Sequence, residues 1–373
     1  MRLTKNKIAQ SLILVGIGLT LFYSFRTQPT REVNQPKPRT WEIAFEQPFE
    51  DARPFSEGLA VIGTRGKFGY IDTTGAVVIQ PQFDAAQDFS GGMARITMNS
   101  RQGYINRYGV VIVEPQFEMA FDATDGLAQV RLRRGRVGYL DRTGKIVIGR
   151  RAYSASQFSE GLAAVSGPRE TDPYNYLDRT GKIVLKTPFE YAAPFYEGLA
   201  HVRVQFIGKS NLGYGFIDRT GQVVIPPEFD ALGQKFSDGL VQVLVGRKWG
   251  YIDRTGKMVI APRFDEAGDF SEGVALVKVL GTLGFIDKDG KYVVEPRFSI
   301  ASPFSEGVAA VFENGKFGYI DRSGQYVIEP QFDSADSFSE GLALVVLNGK
   351  VAYIRLVKTM CAEGRALNQV HPS

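Results

Sequence analysis

The hexapeptide Phe-Ser-Glu-Gly-Leu-Ala at 55–60 comes back along the whole chain at a nearly fixed interval. It returns as FSGGMA (89–94), ATDGLA (123–128), FSEGLA (158–163), FYEGLA (195–200), FSDGLV (236–241), FSEGVA (270–275 and 304–309) and FSEGLA (338–343). Its glycines, from Gly58 to Gly341, lie 34, 34, 35, 37, 41, 34, 34 and 34 residues apart. Units of about 34 residues are too small to bury their own apolar faces, so they must stack on their neighbours. This constraint overrides the two globular domains that 373 residues would otherwise suggest.

Two further landmarks fill each unit. Gly-aromatic-Ile-Asp and a turn recur as GYIDTTG (69–75), GYLDRTG (138–144), GFIDRTG (215–221), GYIDRTG (250–256) and GYIDRSG (318–324). Here Asp caps a type I turn and Gly takes the left-handed position after it, which makes a hairpin. An apolar run then leads into Pro-x-Phe-Asp, as in VVIQPQFD (77–84) and MVIAPRFD (258–265). Proline cannot donate to a ladder, so it is read as the end of a strand. Between the first two landmarks, Ala60 and Ile62 alternate with a position that varies as Val61, Arg95, Gln129, His201 and Gln242. Each unit is therefore expected to be a three-stranded meander with one buried and one variable face.

Residues 42–52 match the end of a unit, and 338–356 match the beginning of one. Two such fragments can close a ring. Nine units of three strands depart from ordinary propellers, which have ~4–8 blades of four strands. The expected fold is thus an all-β array of about nine units at 41–356, an open curved β-solenoid, with a closed propeller-like ring as the alternative. Residues 357–373 would form a tail or cap.

The array is preceded by basic residues Arg2, Lys5 and Lys7 and an uncharged run at 8–25. That run approaches the ~20 residues needed to span a bilayer, and no small-x-small cleavage site follows it. It predicts a transmembrane signal-anchor helix within 1–25, with the array on the extracytoplasmic side; secretion after cleavage is the alternative. A polar, Pro-rich linker occupies 26–40.

The repeats resemble the WG-repeat, or KWG-repeat, family. Lys248-Trp249-Gly250-Tyr251-Ile252-Asp253 matches its signature directly, and Lys67-Phe68-Gly69 and Lys316-Phe317-Gly318 match with Phe for Trp. The resemblance spans about 42–356. It implies a bacterial protein, often exported or envelope-associated, that serves as a binding or scaffold module, and it supplies no catalytic residue.

Composition narrows the function further. A net charge of +4 makes no case for nucleic acid. One cysteine, Cys361, excludes an intrachain disulfide, and His201 and His371 are too far apart in sequence to suggest a metal site or a triad. No cofactor is expected. Arg107, Arg142, Arg179, Arg219, Arg254, Lys288 and Arg322 each follow the turn Asp or Asn, and stacking would line them up as a ladder for an anionic polymer. Their plainer role is a solvated turn position. Glu57, Glu160, Glu197, Asp238, Glu272, Glu306 and Glu340 recur once per unit, so they serve the unit through turn capping or by neutralising the basic row. Two repeats are lengthened, at 166–175 and 201–215, and insertions in arrays map to one, often binding, face. Arg169, Tyr174, Lys209 and Tyr214 are the candidate ligand-binding side chains there, with Arg142, Arg179, Arg219 and Arg254 from the ladder. The expected function is non-catalytic binding of a protein or an anionic or polysaccharide envelope polymer. The alternatives are a polysaccharide hydrolase using acids of the array, and a structural spacer.

Overall fold

The structure, a computed structural model, describes residues 40–46, 48–205 and 212–357. It is a closed ring of nine small antiparallel sheets, a nine-bladed β-propeller. Blade 1 runs Asp51–Ala52, Leu59–Thr64, Lys67–Asp72 and Val77–Phe83, each strand bonded to the next. Blades 2 to 8 follow at 85–117, 120–151, 155–186, 191–229, 231–264, 266–298 and 300–332. Blade 9 takes Ser334–Ala335, Ala343–Leu347 and Lys350–Val357 from the end of the chain and its fourth strand, Thr40–Glu46, from the beginning.

That fourth strand overturns the open solenoid. Thr40 pairs with Val357 and Glu46 with Ala352 in antiparallel register, with a bulge between Ile43 and Phe45. Arg355 and Glu42 add an ion pair at 2.5 Å across the same ladder. Blade 9 then packs on blade 1 through Leu342, Tyr353, Phe55, Ala60, Ile62 and Ile71, just as the other neighbours pack on each other. The strand count misled the expectation. In most blades the first strand is only two residues long, as at Ala85–Ala86 and Ile300–Ala301, too short to show a period. In blade 4 it shrinks to one bridge, Ala155 to Val165.

Proline does not end the last strand either. Pro81 lies inside Val77–Phe83, at a bulge where the pairing jumps from Phe68–Phe83 to Tyr70–Ile79. The bulged backbone crosses directly over Gly69, where a Cβ would stand 2.3 Å from the Ile79 carbonyl oxygen. The glycine of the signature is thus fixed by the proline bulge opposite it.

The apolar cores sit between blades. Tyr251 of blade 6 packs edge-on against Phe270 of blade 7 at 4.9 Å, and the same contact recurs as Tyr70–Phe89, Tyr139–Phe158, Phe285–Phe304 and Tyr319–Phe338. Each such ring removes a large apolar area from water, worth ~1.5–3 kcal/mol. The variable strand position is also turned into these seams: Val61, Gln129 and His201 are all buried.

Among the described residues no helix is long and apolar enough to cross a membrane. The anchor expected at 8–25 lies outside the described residues, so the membrane helix and the localisation drawn from it find no support in the fold.

Candidate functional site

Three recurring devices link neighbouring blades, although Phe216 and Phe285 lack the tyrosine hydroxyl and Tyr196 stands at the Ser position of blade 5. The Ser of the first landmark donates its hydroxyl to the next blade's Phe carbonyl, as in Ser305 Oγ to Phe338 O (2.7 Å) and, closing the ring, Ser339 Oγ to Phe55 O (2.8 Å). The tyrosine of the second landmark donates likewise, as Tyr319 to Asp336 O and Tyr353 to Arg53 O, both 2.7 Å. Burial raises these phenols well above their ordinary range.

The third device is the acid. Glu57 and Gly58 form the centre of a two-residue hairpin with φ of 53° and 81°, a type I′ turn. Glycine adopts this conformation freely; glutamate does so at a cost on the order of 1 kcal/mol. Its carboxylate offsets that cost by reaching across the seam to backbone N–H groups. Gly91 and Gly92 donate to Glu57 at 2.7 and 2.9 Å, Gly273 to Asp238 at 2.7 Å, Gly307 to Glu272 at 3.1 Å, and Gly58 to Glu340 at 2.8 Å. Asp125, Glu160, Glu197 and Glu306 do the same for Gly161, Gly198, Gly239 and Gly341.

The basic row meets these acids on the same face. Arg219 Nη2 donates to Glu160 Oε2 and Arg322 Nη2 to Glu272 Oε2, both at 3.0 Å; Arg179 stands 3.7 Å from Asp125; Arg254 donates to the Glu197 carbonyl. Four members of the expected ladder are therefore engaged by the preceding blade. The turn acids are internal. Asp72 Oδ1 accepts from the Thr74 hydroxyl, the Thr74 N–H and the Ala76 N–H, and these bonds hold its carboxyl below the usual range.

The variable strand position normally finds a partner in the next blade. Arg95 pairs with Asp122 at 3.2 Å, Gln129 Nε2 donates to Ala155 O at 3.1 Å, and Gln242 Nε2 to Asp269 at 2.9 Å. His201 breaks this rule. It is 7% exposed, and among the described residues neither its Nε2 nor Arg203 Nε two residues on has a partner. Both line a cavity of ≈ 400 Å³ between blades 5 and 6, with Tyr191, Tyr214, Asp230 and Gln234. His201 stacks 5.1 Å from Tyr214 and meets Tyr191 at 6.1 Å; Tyr191 meets Tyr174 at 5.9 Å. Burial pushes the imidazole down to about 4, so it is neutral near pH 7.

Of the candidates in the lengthened repeats, Tyr214 lines this pocket, while Tyr174 touches only Tyr191 of its lining. Arg169 is exposed and tied into its own loop through Asp172, and Lys209 lies outside the described residues. Sequence reasoning missed His201, Arg203 and Tyr191 as a site, although the variability of position 201 was visible. No cluster of His, Cys, Asp and Glu among the described residues could hold a metal ion.

Several solved structures are similar. One described as the eukaryotic initiation factor has 14% identity and a TM-score of 0.56, covering 87% of this chain and 94% of that one. BamB from Moraxella catarrhalis shares 12% at a TM-score of 0.43, with 85% and 98% covered. The WD40 β-propeller domain of Doa1 shares 12% at 0.29, with 62% and 88% covered. The first speaks to the fold alone, and the other two carry no argument. No protein of curated function matches the chain in sequence. The family description "WG containing repeat" matches at 68–101, 103–133, 138–166, 176–205, 214–249, 249–282, 284–317 and 317–350. Repeat-built propellers typically serve as binding or scaffold modules. With its matched units spread along nearly the whole ring, the chain belongs to the WG-repeat family.

Proposed function

We propose that the protein is a non-catalytic binding module that receives a segment of a polysaccharide in the pocket between blades 5 and 6. The observation that carries this reading is the pair of buried nitrogens, His201 Nε2 and Arg203 Nε, that have no partner among the described residues, at a cavity flanked by tyrosines. A buried polar group without a hydrogen bond costs about 1–3 kcal/mol, so the pocket is set to gain from a ligand that supplies one. Tyrosine faces suit the C–H face of a sugar ring, while the polar atoms suit its hydroxyls. A hydrolase would need two carboxylates in one cleft. The pocket lining holds one, Asp230, and its Oδ2 already accepts from the Gly246 N–H at 2.8 Å.

The test is calorimetric titration of the full-length chain with a panel of neutral and acidic oligosaccharides. Binding that His201→Val and Tyr214→Ala each weaken by about tenfold, the equivalent of one hydrogen bond or stacking contact, supports the reading. Absence of binding, or binding indifferent to both substitutions, overturns it.

A further inference from the structure

The carboxylate link runs around the ring with one gap. Blade 2 reads Phe-Ser-Gly-Gly, so Gly91 stands where the other blades place Glu or Asp. The groups that would have held that carboxylate are still present. Among the described residues the Gly126 N–H, equivalent to the donors of Gly161, Gly198 and Gly307, has no partner. Arg142, equivalent to Arg219 and Arg322, likewise makes no ion pair or hydrogen bond among the described residues. Its Nε lies over the seam, 3.8 Å from where a Cβ on either Gly92 or Gly126 would stand. An open cavity of ≈ 710 Å³ lies at this spot, lined among others by Gly91, Gly126, Leu127, Arg142 and Val147.

We infer that this gap is a binding site for a carboxylate supplied from outside, the side chain of an acidic residue in a partner polypeptide. The ring itself shows a carboxylate on a glycine N–H eight times, and at three of these, Asp125, Glu160 and Glu272, an arginine of the following blade stands beside it. At the junction of blades 2 and 3 the two donors stand ready and the acceptor is missing. Two carboxylates line the cavity, and each is engaged through one oxygen. Asp125 accepts from Gly161 N–H and faces Arg179; Asp141 accepts from the Thr143 hydroxyl, Thr143 N–H and Lys145 N–H. Neither makes an ion pair with Arg142. Leu127 and Val147 give the cavity an apolar wall, which suits an apolar neighbour of the acid in a peptide better than a hydroxyl-rich uronate. This site uses none of the residues of the pocket between blades 5 and 6, so either can fail without the other.

The ring also provides its own competitor. Gly91 has φ of 63°, close to the 50–56° of the acids at the equivalent turns, so Gly91→Glu can fill the gap from within once Ala123, whose Cβ would stand 3.1 Å from the new Cβ, yields by a few tenths of an ångström. The probe is a fluorescein-labelled peptide carrying the chain's own Phe-Ser-Glu-Gly sequence, with its Gln counterpart as control, titrated into the full-length chain by anisotropy. We expect the Glu peptide to bind and the Gln peptide to bind at least about tenfold more weakly, the effect of removing one charge-assisted contact. Gly91→Glu should abolish binding. Arg142→Gln should weaken it by about tenfold, whereas Arg322→Gln, at a filled seam, should leave it unchanged. Equal binding of the Glu and Gln peptides overturns the proposal. So does undiminished binding to both Gly91→Glu and Arg142→Gln, or binding of a uronate oligosaccharide with none of the peptide.

Discussion

The junction of blades 7 and 8 and the junction of blades 2 and 3 follow one plan: the first has the aromatic contact and the carboxylate link but, with Phe285, no tyrosine hydroxyl, and the second has the tyrosine link without the other two. Between blades 7 and 8, Ser271 reaches Phe304 O at 3.0 Å, Phe285 packs on Phe304 at 4.8 Å, and Glu272 joins Gly307 and Arg322. Between blades 2 and 3, Ser90 still reaches Ala123 O at 2.6 Å and Tyr104 still reaches Phe121 O at 2.7 Å. Yet Ala123 replaces the aromatic ring and Gly91 replaces the acid. The second seam holds because its apolar core, from Val113 and Phe117 to Val130 and Leu140, remains continuous. The links on the loop face are thus separable from the core beneath them. A seam that gives them up keeps its fold and gains free donors.

The sharpest way to break the comparison is to make the first seam resemble the second. Phe304 is 2% exposed, and Phe304→Ala should cost ~3–5 kcal/mol in urea unfolding. A cost below ~1 kcal/mol would mean that the ring contacts are not the core.

Next in size is an effect of pH at the junction of blades 5 and 6. The folded pKa of His201, about 4, lies below the ordinary value of 6.5, so on acidification the unfolded chain takes up the proton first. Stability should therefore fall from pH 6.5 downwards, with the loss complete near pH 4, and reach about 2 kcal/mol at pH 5. His201→Phe should remove that loss across the same window; a slope that survives the substitution assigns it elsewhere.

Smaller again is the carboxylate at the first seam. Glu272→Ala keeps the positive φ and loses the link, and should cost ~1–2 kcal/mol. Glu272→Gly copies blade 2 and relieves the backbone, so it should cost about 1 kcal/mol less. Equal costs would show that the turn carries no strain. The smallest effect is the repair: Gly91→Glu gains a link and takes on the strain, so thermal unfolding should shift by no more than about 1 kcal/mol in either direction.

Much of this was legible in the sequence, because a repeat compares each position with its own eight equivalents. The units, the Asp-capped turns and the complementary end fragments could all be read from residues such as Asp253, Gly256 and the 42–52 segment. The replacement of Glu by Gly at 91 was equally visible, but its meaning needed the seam, since the partners Gly126 and Arg142 belong to the next blade. The ring was placed second to the open solenoid for a physical reason: a first strand of two residues leaves no alternation to detect. His201 was hidden in another way. Its unpaired Nε2 stands out only because Arg95, Gln129 and Gln242 find partners, and strand spacing does not reveal partners in a neighbouring blade.

The pairing of Thr40–Glu46 with Lys350–Val357 makes the number of repeats a fixed quantity. In an open stack a unit can be lost or duplicated and every remaining interface keeps its angle. In a ring the rotations must sum to one full revolution, so removing one repeat would force every other junction to turn further or leave the last blade without its outer strand. Length cannot drift one unit at a time in such a chain. Change has to enter by substitution at single blades while the count stays constant, and Gly91, Ala123 and His201 are changes of that kind.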